Sequence, residues 1–227
     1  MVEIKQNNAH NSLLFNTTSI FYSLSFYSPI IICVSIVLFS MFTMTMNKAF
    51  VFFIWIFIIT FIRIIIFKGV LTGDPNNKFV NIEDNDICLT GLSQIFIPKD
   101  VLYSTYILTF TMMYFIVPMC MISVQNKINI INYGVLAFFI CYIGIDIFIK
   151  NKLSCIPAET FGKSVSGNIL SGMFLGGVIA GLIMYGSELK SYLYINEINT
   201  NKEVCSMPSK QQFKCKVYKD GTLVGNM

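Results

Sequence analysis

The chain has 227 residues, 55% of them hydrophobic and only 12% charged, with a mean hydropathy of +0.66. Soluble domains carry roughly 25% charged residues, so a water-soluble globule is excluded. The formal charge of +4 is modest, and no stretch forms the dense basic stripe of a nucleic-acid groove, so nucleic acid is not an expected partner.

Residues 1–24 form a polar arm that holds the only histidine, His10, and a glycosylation sequon at Asn16-Thr17-Thr18. A cleavable signal peptide is not expected, because the arm is polar and the first long apolar run exceeds an h-region. That run, Phe26 to Met44, reads as the first membrane span, with Pro29 tolerated in its first turn. Asn47-Lys48 makes a tight turn into the second span, Ala49 to Phe67, which carries Arg63 about one turn from its end. Residues 68–102 form the longest internal loop, with Cys88, Pro98 and an acidic run from Glu83 to Asp86. The run lacks the alternating spacing and glycine of an EF-hand loop and reads as a solvated acidic turn.

Tyr103 to Ser123 is the third span and Ile130 to Ile149 the fourth, with Asp146 one turn from its end. A loop over 150–166 follows, with Cys155. The fifth span, Gly167 to Gly186, reads GNILSGMFLGGVIAGLIMYG and contains no charge. Its twenty residues, at about 1.5 Å each, match a hydrocarbon core of about 30 Å. Gly172 with Gly176 and Gly177 with Gly181 make small-xxx-small pairs. Because lipid removes most of the gain from hiding apolar side chains, helices in a membrane associate through close backbone approach, so this glycine groove is expected to receive a neighbouring helix. A homodimer seam is the alternative use of the same groove.

The expected fold is therefore an all-α integral membrane protein. It comprises an arm (1–24), a five-span helix bundle (25–186, spans 26–44, 49–67, 103–123, 130–149 and 167–186) and an extramembrane tail (187–227). Five spans put the arm and the loops 68–102 and 150–166 on one face, called face A. The tight turns and the tail lie on face B. Counting Arg63 with its nearer face, each face holds eight Lys or Arg, and the charges nearest the helix ends lean face A toward the cytosol.

Ionised groups within a span are costly unless paired or hydrated, so Arg63 and Asp146, at similar depth near face A, are expected to pair with each other or to snorkel. Without further polar groups strung toward face B, a transporter is disfavoured. Cys33, Cys120 and Cys141 lie in spans, leaving two candidate disulfides: Cys88 with Cys155 on face A, and Cys205 with Cys215 on face B. The tail ends in a period-two pattern in which Phe213, Cys215 and Val217 alternate with Lys214 and Lys216, as in a half-buried strand. Asp220-Gly221 then offers a hairpin turn back into Thr222-Leu223-Val224. Phe213, Lys214, Lys216 and Val217 are the candidate partner-binding residues.

The segment KNKLSCIPAETFGKSVSGNILSGMFLGGVIAGLIM resembles the last part of type-2 phosphatidic acid phosphatases, in which Ser-Arg and a His precede a glycine-rich final helix. That family also carries a Lys and an Arg-Pro after an earlier helix, and Pro-Ser-Gly-His at the start of the next. Here Arg63 and Lys68, the stretch from Pro98 to Thr105, and residues 150–166 hold those places. No histidine follows His10, whereas that mechanism needs one as nucleophile and another as acid or base. The resemblance thus implies an inactive scaffold with no catalytic residue.

The tail sequence NKEVCSMPSKQQFKCKVYKDG, together with five spans rich in Ile, Phe and Asn, resembles conserved multi-pass membrane proteins of large double-stranded DNA viruses of algae and protists. That resemblance implies a structural protein of a virion inner membrane derived from the host endoplasmic reticulum. Its partners would be membrane lipids and other capsid or membrane proteins, as in a minor capsid component joining membrane to shell. Neither catalysis, a cofactor nor a metal site is expected, since serines and cysteines lack a histidine base and no cluster supplies metal ligands.

Overall fold

A computed structural model describes residues 20–66, 88, 100–127, 130–156, 158–186, 188–198, 216–219 and 222–226. A short helix α1 (Ile20–Phe26) meets α2 (Ser28–Phe42) at a bend of 80°. Pro29 explains the break, because in a continuous helix its ring would collide with the carbonyl of Ser25 and one backbone hydrogen bond would be lost. Four longer helices follow: α3 (Met46–Ile66), α4 (Tyr103–Asn126), α5 (Tyr133–Lys152) and α6 (Ala158–Tyr185). All four are long and apolar enough to cross a membrane, and α1 with α2 supplies a fifth if the bent pair counts as one span.

Several boundaries differ from those read in the sequence. The largest change is in α6, which starts at Ala158 rather than near Gly167 and runs for 28 residues. An apolar window locates the part of a helix that fits the hydrocarbon slab, whereas the backbone ladder continues through Glu159 and Lys163 into the polar zone. The first span differs in kind. Its straight portion, α2, has only 15 residues, about 22 Å at the helical rise, but it still runs from one end of the bundle to the other. Ser25, just before it, hydrogen-bonds Asp146 near the face A end of α5, and Ser40, in its last turns, hydrogen-bonds Tyr194 at the face B end.

The bundle is built around α4. Of its spanning window 61% is buried, against 22% for α3 and 33% each for α5 and α6. Along α4, Tyr106, Ile107, Phe110, Tyr114 and Met119 are enclosed by the other helices. The outer faces of the bundle expose Phe57, Phe138, Phe148 and Phe174 among many apolar side chains, a surface whose natural solvent is lipid.

The closest helix pair is α4 with α6. A methyl group on Gly172 would lie 2.7 Å from the Tyr106 carbonyl oxygen, and one on Gly176 would lie 2.5 Å from that of Phe110. No Cβ fits there, so these two glycines set the distance between the backbones. At Gly177 the nearest atoms, on Val117 and Met113, are at 3.8 and 3.9 Å, which is ordinary contact, and at Gly181 nothing lies within 4 Å. The seam thus uses the first pair of the sequence groove, and Gly181 is off it.

Beyond α6 the chain folds back beneath face B as a strap, through a 3₁₀ turn (Leu189–Tyr192) and a single helical turn, α7 (Ile195–Ile198). Leu193 and Tyr194 are buried there, and the Tyr194 ring packs on Phe39 and Phe115. The Tyr194 hydroxyl meets the Ser40 hydroxyl at 2.6 Å. Burial pushes the Tyr194 phenol above its usual range, with the Ser40 bond pulling the other way, so the ring stays neutral at physiological pH. Lys48 donates to the Leu193 carbonyl (2.9 Å) and to Glu197 (2.6 Å). Asn132 caps α5 by accepting from the Val135 N–H, and its amide donates to the Ile198 carbonyl at 2.8 Å. Farther on, the backbones of β1 (Lys216–Lys219) and β2 (Thr222–Asn226) pair antiparallel, with Lys219 opposite Thr222 and an irregularity between Val217 and Tyr218.

Candidate functional site

Charge is gathered at the face A end of the bundle in two adjoining clusters. In the first, Asp146 and Lys150 occupy successive turns on one face of α5 and are both fully buried. The i, i+4 spacing brings such side chains together without help from another element, and here Lys150 Nζ lies 2.7 Å from Asp146 Oδ2. Hydroxyls complete the cluster. Ser25 donates to Asp146 Oδ1 at 2.5 Å and Thr105 to Oδ2 at 2.5 Å, while Ser104 approaches both oxygens at 3.1 and 3.2 Å. Lys150 in turn donates to Ser104 Oγ and, at 3.0 Å, to Thr105 Oγ1. An ammonium has three N–H donors, and each has an acceptor here. Each α4 hydroxyl gives its proton to the carboxylate and receives one from the ammonium, so the donors and acceptors match.

The second cluster joins the end of α3 to the start of α4. Arg63 donates from Nε to Asp100 Oδ2 at 2.8 Å and from a terminal nitrogen to Oδ1 at 3.1 Å, a two-point grip on a carboxylate that is 3% exposed. Its guanidinium also stacks over the Tyr106 ring, 4.8 Å from the centroid. Beside it Thr60 and Tyr103 hydroxyls are hydrogen-bonded at 2.8 Å. These two hydroxyls are the polar part of an apolar groove of about 400 Å³ between α2 and α3. The groove therefore presents no charge to a polar substrate.

These contacts correct the expected Arg63–Asp146 pair. Each group has its own partner: Asp100 for Arg63, Lys150 for Asp146. The sequence reading placed Lys150 in a loop because it follows the last apolar residue. It likewise left Asp100 in the 68–102 loop, although Asp100 stands three residues before α4 and faces the end of α3. Ser25, Ser104 and Thr105 were missed altogether. The available signals were the Asp146-x-x-x-Lys150 spacing and the run of hydroxyls at 104 and 105 just inside α4.

A planar guanidinium can grip a carboxylate at two points and stack on a ring, which a lysine ammonium cannot do. Arg63→Lys is therefore expected to destabilise the protein by about 1.5–3 kcal/mol, the typical value of one hydrogen bond to a charged group. Thermal unfolding in detergent measures this, and an unchanged midpoint would show that the grip is dispensable.

Above both clusters Cys88 and Cys155 are joined by a disulfide, with their Cα atoms 5.5 Å apart. Ser154 ends α5 with a left-handed backbone (φ 52°), and the Cys155 N–H donates to the Lys150 carbonyl at 3.0 Å. That turn brings Cys155 to Cys88, among Phe26, Val101 and Leu153. Of the other sequence candidates, Phe213, Lys214, Cys205 and Cys215 lie outside the described residues. Lys216 and Val217 fall in β1. Among the described residues no three His, Cys, Asp or Glu side chains are grouped to hold a metal ion.

No family model matches the chain, and neither the curated proteins nor the solved structures contain a match to it.

Proposed function

We propose that this chain is a structural multi-pass protein of a viral internal membrane, crossing the bilayer five times and linking it to a surrounding protein layer through its carboxyl-terminal tail. The observation that carries this reading is the strap under face B. Tyr194, Lys48 and Asn132 fix the chain as far as Ile198, so the tail leaves from a defined point beneath the bundle. A tail fixed at its root loses less freedom when it docks than one on a loose tether. The paired backbones of β1 and β2 then form a hairpin whose free edge is suited to strand addition by a partner. The viral setting rests on the resemblance of the tail sequence and of the five apolar runs.

The closed charge clusters favour a structural role over a catalytic one. Lys150 spends all three donors, Arg63 grips Asp100 at two points, and Ser104 and Thr105 are each held by both partners of the ion pair. A nucleophile or base for catalysis needs reach toward a substrate, whereas these groups are turned inward.

Deleting residues 200–227 is expected to leave membrane insertion intact and to abolish incorporation into the larger assembly, measured by co-purification with membranes and then with assembled particles. Normal incorporation of the truncated chain would refute the tether. Release of phosphate from phosphatidic acid by the purified full-length protein would instead replace the structural reading with that of a lipid phosphatase.

A further inference from the structure

We infer that the end of the bundle carrying Cys88 and Cys155 faces an oxidising compartment and that the carboxyl-terminal tail faces the reducing cytosol. Cys88 lies between α3 and α4, and Cys155 between α5 and α6, so both are at the same end however α1 and α2 are counted. The tail follows α6 and is at the other end. The bond is built into its surroundings: Cys88 is 1% and Cys155 2% exposed, and the left-handed turn at Ser154 aims the second sulfur at the first. Cross-links of this kind persist in secretory, extracellular and periplasmic spaces and are rare where glutathione and thioredoxin keep thiols reduced. Forming it removes two protons and two electrons from the two thiols, which pass to a thiol–disulfide oxidant of that compartment.

Charge is nearly balanced between the two ends and does not oppose this orientation. Two of the eight basic residues on face A, Arg63 and Lys150, and one of the eight on face B, Lys48, are held in ion pairs, which leaves six against seven. Segments next to spans on the cytosolic side are enriched in Lys and Arg. The buried disulfide overrides the lean drawn from charges near the helix ends, two of which, Arg63 and Lys150, are held in ion pairs inside the protein. The inference does not rest on the structural role proposed above, since a phosphatase with the same bond would sit the same way round.

The test uses the full chain synthesised into sealed microsomes, whose outer surface is cytosolic. A membrane-impermeant maleimide is added and the modified cysteines are located by peptide mass mapping. Cys205 and Cys215 are expected to react without detergent or reductant. Cys88 and Cys155 are expected to react only when detergent and reductant are both present. Tail cysteines that stay protected until detergent is added, or that need a reductant, overturn the orientation. So does reaction of Cys88 or Cys155 without reductant, or after an impermeant phosphine alone.

Discussion

Asp146→Leu is expected to be among the most damaging single changes in the protein, costing about 3–5 kcal/mol, the range found when one partner of a buried ion pair is removed. The variant leaves the Lys150 ammonium fully buried with only the Ser104 and Thr105 oxygens to accept from it. Lys150→Met should cost less. It leaves a carboxylate, but one whose oxygens still accept from Ser25, Ser104 and Thr105, so its lone pairs are not stripped of donors. The double variant Asp146→Leu/Lys150→Met removes both charges and strands only neutral hydroxyls, so it should be more stable than Asp146→Leu alone. Buried pairs replaced together by apolar residues are often tolerated in this way. Unfolding midpoints in one detergent give the double-mutant cycle. Additive losses would mean that the two charges act independently, contrary to the geometry.

The apolar runs made the bundle legible, because a stretch that must sit in hydrocarbon can hide neither its length nor its lack of charge. The same runs concealed where each helix ends. Glu159 and Lys163 looked like loop but belong to α6, and Lys150 looked like loop but belongs to α5. That single misplacement led to the wrong partner for Asp146. Arg63 was recognisable as a group that must be paired, yet nothing in its own helix could name Asp100, which becomes its neighbour only when the start of α4 packs against the end of α3. The strap was hidden in a stretch that reads as the start of a polar tail. The cluster Tyr192-Leu193-Tyr194-Ile195 was the one sign that part of it returns to the core. For the cysteines, spacing left a pair open on each face, and the Cys88–Cys155 bond depends on the Ser154 turn, which no motif announces.

Replacing Gly176 with leucine is expected to force α4 and α6 apart. A Cβ at that position would lie 2.5 Å from the Phe110 carbonyl oxygen and 3.0 Å from Met113 Cβ, and the first of these is main chain in the middle of a helix, which cannot rotate aside. The remaining atoms of leucine need room that the seam does not have. Overpacking of this kind typically costs about 1–3 kcal/mol, and the loss here should reach the top of that range because backbone, rather than a flexible side chain, is struck. Gly172→Leu should behave alike, since it meets the Tyr106 carbonyl. Gly181→Leu is the control on the same helix. Nothing lies within 4 Å of its Cβ position, so its unfolding free energy should stay within about 0.5 kcal/mol of wild type, as for substitutions that touch nothing. The contrast separates close packing from helix propensity, because leucine is the better helix former at all three sites. If all three variants unfold together with wild type, the seam does not hold the bundle. If Gly181→Leu fails as badly as Gly176→Leu, the groove is serving a contact outside the chain, such as a second copy seated on the outer face of α6.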